Sequence, residues 1–360
     1  MPDVVIAGGG PAGLAAAIAL AERGLSATVV DAAGGSSAPR AELLPQGAAA
    51  ILERLGLSTV LVDAVRITDV ISAWGRAALQ SHGAHPGLGL HGWGVNRQEL
   101  SAVMRQRARD AGVTLVTARI TSHDRANGAW QVGLSGQSSI TAGFLIDATG
   151  RPAAIARKHG ARMLRDADLV AVTWQSSGTG ETRMLAQAAP DGWWYAVPHN
   201  TGGTFGFMTT AQRAKDIART PGAFLAEACT ETKLMTLDTA HAPRLMDGCN
   251  AVLDRMCGDG WLATGDAAAA FDPIASQGLF NALSGGFFAG NAAADAIAGD
   301  PDAPMVYEAL SSRTAERTFG MTHLQYAALP YETDFWKTRA GFPASGHKSS
   351  DAQCRTVAAQ

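Results

Sequence analysis

The chain is 360 residues long, 47% hydrophobic and 17% charged, with 29 basic against 32 acidic residues and a formal net charge of −3. That is enough apolar chain for one large or two ordinary domains, and the charge balance argues against the basic footprint of a nucleic-acid-binding protein. The cysteines, Cys229, Cys249, Cys257 and Cys354, form no CxxC and no metal-ligand spacing. They read as reduced thiols of a cytoplasmic protein, with the even count leaving disulfides open.

The N-terminal apolar run around Val4–Ala7 stops at Gly8, too short for a secretory signal or a membrane span. It reads as a buried parallel strand over Val4–Ile6. Gly8-x-Gly10-x-x-Gly13 follows at once, Leu14–Arg23 is rich in helix formers, Gly24 ends that helix, and Ala27–Val30 is a second strand. This βαβ unit has the glycines needed for a tight turn, close approach of a pyrophosphate and packing of helix on strand. The phosphates would lie at the helix N-terminus, where free N–H groups and the dipole favour anions. Asp31 closes the second strand in position to accept hydrogen bonds from a ribose diol, which favours FAD or NAD over NADP.

His82, His85 and His91 lie close together in a Gly- and Pro-rich stretch, with no Cys or acid at ordered spacing, so no metal site is expected. The segment 144–158, FLIDATGRPAAIARK, is a strand ending in Ala-Thr-Gly. LVAVTWQS (169–176), the stretch 182–199 and GTFGFMTT (203–210) read as antiparallel strands, followed by a helix over 211–229. In GWWYAVP (192–198) the faces of a strand alternate, so Trp193 and Tyr195 share one face and Trp194 takes the other. One face would be core and the other could border a flat aromatic pocket, with Trp74 of SAWG at its edge. WLATGDAAAAFDP (261–273) is a strand ending in Gly-Asp, then SQG and an apolar helix. Helices over roughly 304–328 and a small, polar tail over 341–360 complete the chain.

The glycine turn, the ATG turn and the GD turn together resemble the aromatic hydroxylase superfamily of FAD proteins, the group that includes p-hydroxybenzoate hydroxylase. The resemblance spans residues 3–300. It implies an α/β fold: a Rossmann-type FAD-binding domain with an inserted antiparallel β-sheet substrate domain and C-terminal helices. The corresponding boundaries are 1–165 with 245–300 for FAD, 166–244 for substrate, 301–340 for the helical segment and 341–360 for a loose tail. By resemblance Arg40 and Arg97 approach the flavin, Asp266 holds the ribityl chain, and Pro273 lies at the edge of the isoalloxazine. The backbone of Gln277, Gly278 and Leu279 then faces its pyrimidine carbonyl, with Gly278 bare beneath the ring. Asp272 also reads as a plain N-cap.

SAWG, GWWY-x-x-P, DP-x-x-SQG and YETDFWKTR (331–339) further resemble the tryptophan halogenases and their non-halogenating relatives, which hydroxylate a peptidyl tryptophan during quinone-cofactor maturation. The halogenases carry a lysine in their first hundred residues. Here the first lysine of the chain is Lys158, and the W-x-W-x-I-P motif is absent. The resemblance therefore implies a monooxygenase acting through a flavin hydroperoxide, with molecular oxygen as co-substrate and electrons from NADH, NADPH or a separate flavin reductase. Its substrate would be a small aromatic or a tryptophan side chain, with His199 and Asp272 as candidate bases. A halogenase, a flavin-binding partner of a client protein and an ene reductase are the alternatives.

Overall fold

The computed structural model describes residues 1–35, 40–74, 80–81, 92–177, 181–232, 242–329 and 331–340. His82, His85, His91 and the 341–360 tail lie outside the described residues. The fold is built on a six-stranded sheet in the order Cys257–Gly258, Trp261–Ala263, Phe144–Asp147, Val4–Ala7, Ala27–Val30, Thr114–Val116. All its pairs are parallel except the edge hairpin Cys257–Gly258/Trp261–Ala263. Val4–Ala7 and Phe144–Asp147 are buried along their whole length. Their unbroken apolar runs are what a parallel strand covered on both faces requires.

The first helix, Pro11–Glu22, packs on this sheet with alanines interspersed with Leu14, Ile18 and Leu20, all buried. The 20-residue helix Gly278–Ile297 crosses it closely. Gly286 and Gly290 make that approach possible: a Cβ at either position would strike the carbonyl oxygen of Ala12 or Ala16. The chain then turns into the long helix Ala303–Ala327 and the short helix Asp334–Ala340. Among the described residues no helix is long and apolar enough to cross a membrane.

The second layer is a seven-stranded sheet, in the order Arg244–Asp247, Val170–Ser177, Gly202–Thr209, Gly192–His199, Arg183–Ala189, Asp69–Ala73, Gln80–Ser81. The antiparallel strands expected between residues 169 and 210 are present. The sheet also recruits Asp69–Ala73, which pairs in parallel with Arg183–Ala189 and lies outside the 166–244 span. Expected as one helix, 211–229 is two, Ala211–Arg219 and Pro221–Thr232. Pro221 has no N–H to extend the first helix, but it is well tolerated at the start of the second.

Trp193 and Trp194 face opposite sides of this sheet. Trp194 stacks on Phe205 and Phe224 in an apolar cluster. Trp193 packs with Trp74, Tyr326 and Trp336 under the C-terminal helices. A meander of Ile120–Ala126, Ala129–Leu134 and Gln137–Ala142 lies outside both sheets. Cys249 and Cys257 are free and buried.

Candidate flavin site

The glycine, ATG and GD turns leave the carboxyl ends of three adjacent strands. Asp147 pairs with Ala7 on one side and Ala263 on the other. Backbone bonds run from Ala148 N–H to Ala7 O (2.8 Å) and from Thr264 N–H to Asp147 O (2.8 Å), so the turns form one rim. The crevice outside strand carboxyl ends is where open α/β sheets bind their ligands.

The glycines of the first turn differ in what surrounds them. Gly8 sits at φ +110°, and a Cβ there would strike the Ala148 carbonyl; at Gly13 it would strike the Gly8 carbonyl. At Gly10, with extended backbone at φ −75°, a Cβ would meet nothing within 4 Å. Gly10 caps the helix without a side-chain bond. The first turn thus presents backbone N–H groups beside open space, as phosphate binding requires. Asp31 lies directly beneath: its Oδ2 is 3.0 Å from Arg105 Nη1 and accepts from Gly35 N–H, and its Oδ1 accepts from Ala33 N–H. Arg105 was not singled out in the sequence. It reaches Asp31 from the helix Arg97–Asp110, 74 residues along the chain.

Arg40 and Arg97 meet on a shared partner, Glu42. Arg40 Nε donates to Glu42 Oε1 at 2.9 Å, and Arg97 Nη1 to Oε2 at 3.0 Å. Burial pushes the Glu42 carboxyl up, but Arg97 and Arg40 outweigh it and hold it below the usual carboxylate range. Glu42 therefore stays ionised and fixes both guanidiniums. Ala41 N–H donates to Thr204 Oγ1 (2.7 Å), which ties this strand to the seven-stranded sheet. On the GD turn, half-buried Asp266 lies 4.0 Å from Arg151, and burial raises its pKa.

The segment after Asp266 is shaped by a buried acid. Asp272, 4% exposed, caps the turn Pro273–Ala275 by accepting Ile274 N–H at 2.9 Å. Burial pushes its pKa up to about 7. Pro273 is exposed, and Ser276 adopts the left-handed conformation at φ +51°. Gln277 caps the following helix without a side-chain bond, and Leu279 is buried. At Gly278 a Cβ would meet nothing within 4 Å, so no protein neighbour demands its lack of a side chain.

The remaining candidates, Trp74, Trp193, Tyr195 and His199, lie on or next to strands of the seven-stranded sheet. Trp193 is 3% exposed, and its indole N–H goes to the hydroxyl of Tyr326 (3.1 Å), a residue not singled out in the sequence. Trp74 donates to the Gln325 carbonyl (3.1 Å) and packs edge-on against Trp193. Tyr195, half-buried beside Trp193, has its phenol pushed up to about 12 by burial. His199 is buried at the end of its strand, and burial lowers its pKa. Its Nδ1 accepts from Thr201 N–H at 3.2 Å, so in the neutral ring the hydrogen sits on Nε2. That tautomer suits donation to an oxygen better than proton abstraction.

Comparison with known proteins shows the family and the fold. The chain is 27% identical over 306 residues to a menaquinone reductase of Mycobacterium tuberculosis (strain H37Rv), covering 79% of this chain and 74% of that protein. Its fold is similar to that of a peptidyl tryptophan dihydroxylase essential for tryptophylquinone cofactor biogenesis. The TM-score there is 0.79 at 24% identity, over 95% of this chain and 79% of the other. The fold of the myxobacterial chondrochloren halogenase CndH is also similar, with a TM-score of 0.81 at 18% identity, over 99% of this chain and 90% of the other. The family model described as FAD binding domain matches residues 1–318, and the protein is thus a member of the FAD-binding domain family of flavin-dependent oxidoreductases.

Proposed function

We propose that the protein is an FAD-dependent monooxygenase that hydroxylates an electron-rich aromatic, either a small molecule or a tryptophan side chain. The observation that carries the flavin placement is the pairing of Gly10 and Gly278. Both are glycines at uncapped helix starts, with permissive backbone and no protein atom near a Cβ. A ligand that lies on both explains why neither has a side chain.

In this reading the first turn holds the pyrophosphate, Asp31 the ribose and Asp266 the ribityl chain. The Glu42-anchored Arg40 and Arg97 flank the cofactor. Bound and reduced, FAD supplies the activation of molecular oxygen. One oxygen atom enters the ring of the substrate, the other leaves as water, and a nicotinamide or a separate reductase supplies the two electrons. Tyr195 and Pro273 keep accessible surface for contact with the substrate, with Trp193 and Trp74 packed behind them. Neutral His199 donates from Nε2 to orient a substrate oxygen. The start of helix Gly278–Ile297 stabilises negative charge on the reduced ring system through its dipole.

The menaquinone reductase relatives favour a second reading, reduction of a quinone-type substrate, and halogenation is the third. A further alternative is a flavin-binding maturation partner that holds a client protein without turning over alone. One experiment separates them. The protein is reduced anaerobically with NADH or NADPH, then mixed with oxygen, chloride, bromide and indole or phenol substrates, with menaquinone in a parallel anaerobic arm. A product heavier by one oxygen atom supports hydroxylation. A halogenated product, or a menaquinone heavier by two hydrogens, overturns it in favour of the corresponding rival. No turnover, with a client protein co-purifying, favours the partner role.

A further inference from the structure

Asp272 is held from three sides. Its Oδ1 accepts Ile274 N–H (2.9 Å), its Oδ2 accepts the hydroxyl of Tyr326 (2.8 Å), and its own N–H donates to Asn250 Oδ1 (2.8 Å). Tyr326, 2% exposed, belongs to the helix Ala303–Ala327. Trp193 Nε1 approaches the same hydroxyl at 3.1 Å. An indole N–H can only donate, so the tyrosine oxygen must accept from Trp193, and its single hydrogen is committed to Asp272. The chain of bonds therefore has one direction, from Trp193 to Tyr326 to Asp272. It links the seven-stranded sheet, the long C-terminal helix and the turn that leads to Gly278.

We propose that Tyr326 is a positioning residue: it fixes Asp272, and through it the Pro273–Gly278 backbone, against the substrate sheet, so that the seat of the flavin ring is set from the substrate side. This rests on the flavin-side role proposed above for Asp272–Gly278. The other charged or titratable groups around Asp272 are Asp166, Arg339 and His323, which line with it and Tyr326 a cavity of about 10 Å³. Asp166 is reached through Asn250, whose Nδ2 donates to its Oδ2 at 2.8 Å. Burial and Asp166 push the Asp272 carboxyl up; the Ile274 N–H, the Tyr326 hydroxyl and Arg339 pull it down. Loss of the tyrosine hydroxyl must therefore move its titration to higher pH.

The test uses the full chain loaded with FAD and does not depend on turnover. In Tyr326→Phe the ring still fills its site, so cooperative unfolding is retained. FAD affinity should fall about three- to tenfold, as expected for a lost buried hydrogen bond. The pH midpoint of the change in the bound-flavin visible spectrum should rise by about one unit. Asp272→Asn should abolish that pH response. Trp193→Phe, which keeps the tyrosine–aspartate bond, should leave the midpoint near the wild-type value. An unchanged midpoint and affinity in Tyr326→Phe would overturn the proposal. Should that variant not fold, persistence of the pH response in Asp272→Asn overturns it instead. Wild-type protein whose bound flavin shows no such pH response removes the flavin-side placement itself. A halogenated or reduced product in the turnover experiment would change the proposed reaction and leave this inference standing.

Discussion

The two helix mouths of the candidate site differ in what shapes them. At the first, Gly8 and Gly13 are demanded by the protein itself: a side chain at either would strike backbone, and only Gly10 faces open space. At the second, Gly278 has no such neighbour, and the local structure is set by a buried acid, an exposed proline and a left-handed serine. A glycine motif thus mixes positions where a side chain would strike backbone with positions that face open space. The distances around a hypothetical Cβ separate the two.

Substitutions at these glycines test that separation. The largest effect is expected at Gly13. A valine there meets the Gly8 carbonyl, and overpacking against backbone should destabilise the apoprotein by about 3 kcal/mol or more, seen as loss of soluble protein or a lower thermal midpoint. Gly278→Val should leave the circular dichroism and the unfolding free energy within about 1 kcal/mol of wild type, since only helix propensity changes. Its FAD binding, followed by flavin fluorescence, should be lost. A folded Gly278→Val protein with normal colour and activity would dissolve the contrast between the two mouths.

A smaller effect distinguishes the mouths by pH. The folded-state pKa of Asp272, about 7, lies above the ordinary carboxylate value of 3.8, so folding takes up a proton between these values. Its contribution is fully favourable below about pH 4 and is lost as the pH rises through about 7. Asp272→Asn should flatten that part of the stability–pH profile in urea titrations, removing a slope of about 1.4 kcal/mol per pH unit within the window. The smallest effect is expected for Gly10→Ala. Apoprotein stability should be unchanged and FAD affinity reduced by about tenfold, or about 1.4 kcal/mol. A loss of apoprotein stability at Gly10 would mean that the protein needs that glycine too.

Much of this was legible in the sequence because it is local. The βαβ unit, the alternation of Trp193 and Trp194, the cap at Asp272 and the helix near 304–328 follow from spacing and period alone. The cofactor family followed from three motifs whose strands prove to be neighbours. What was not legible depends on pairing across long stretches of chain. Glu42 unites Arg40 with Arg97, 55 residues away from it, and Tyr326 reaches Asp272 across 54. Asp69–Ala73 joins the seven-stranded sheet through a parallel register that no nearby turn specifies. The break before Pro221 was written in the sequence as a proline, and the apolar pattern around it reads straight through.

The close crossing of the helices Pro11–Glu22 and Gly278–Ile297 has a mechanical consequence. With Gly286 and Gly290 laid directly on the Ala12 and Ala16 carbonyls, no side chain lies between the two backbones to act as a cushion. On the proposed reading each helix opens onto one end of the cofactor, and the two hold it as a single stiff fork whose tines cannot spread independently. Such a fork binds without first having to be assembled, so less of the binding energy is spent on ordering it. On the proposed reading, an opening that admits substrate comes from elements other than these two helices.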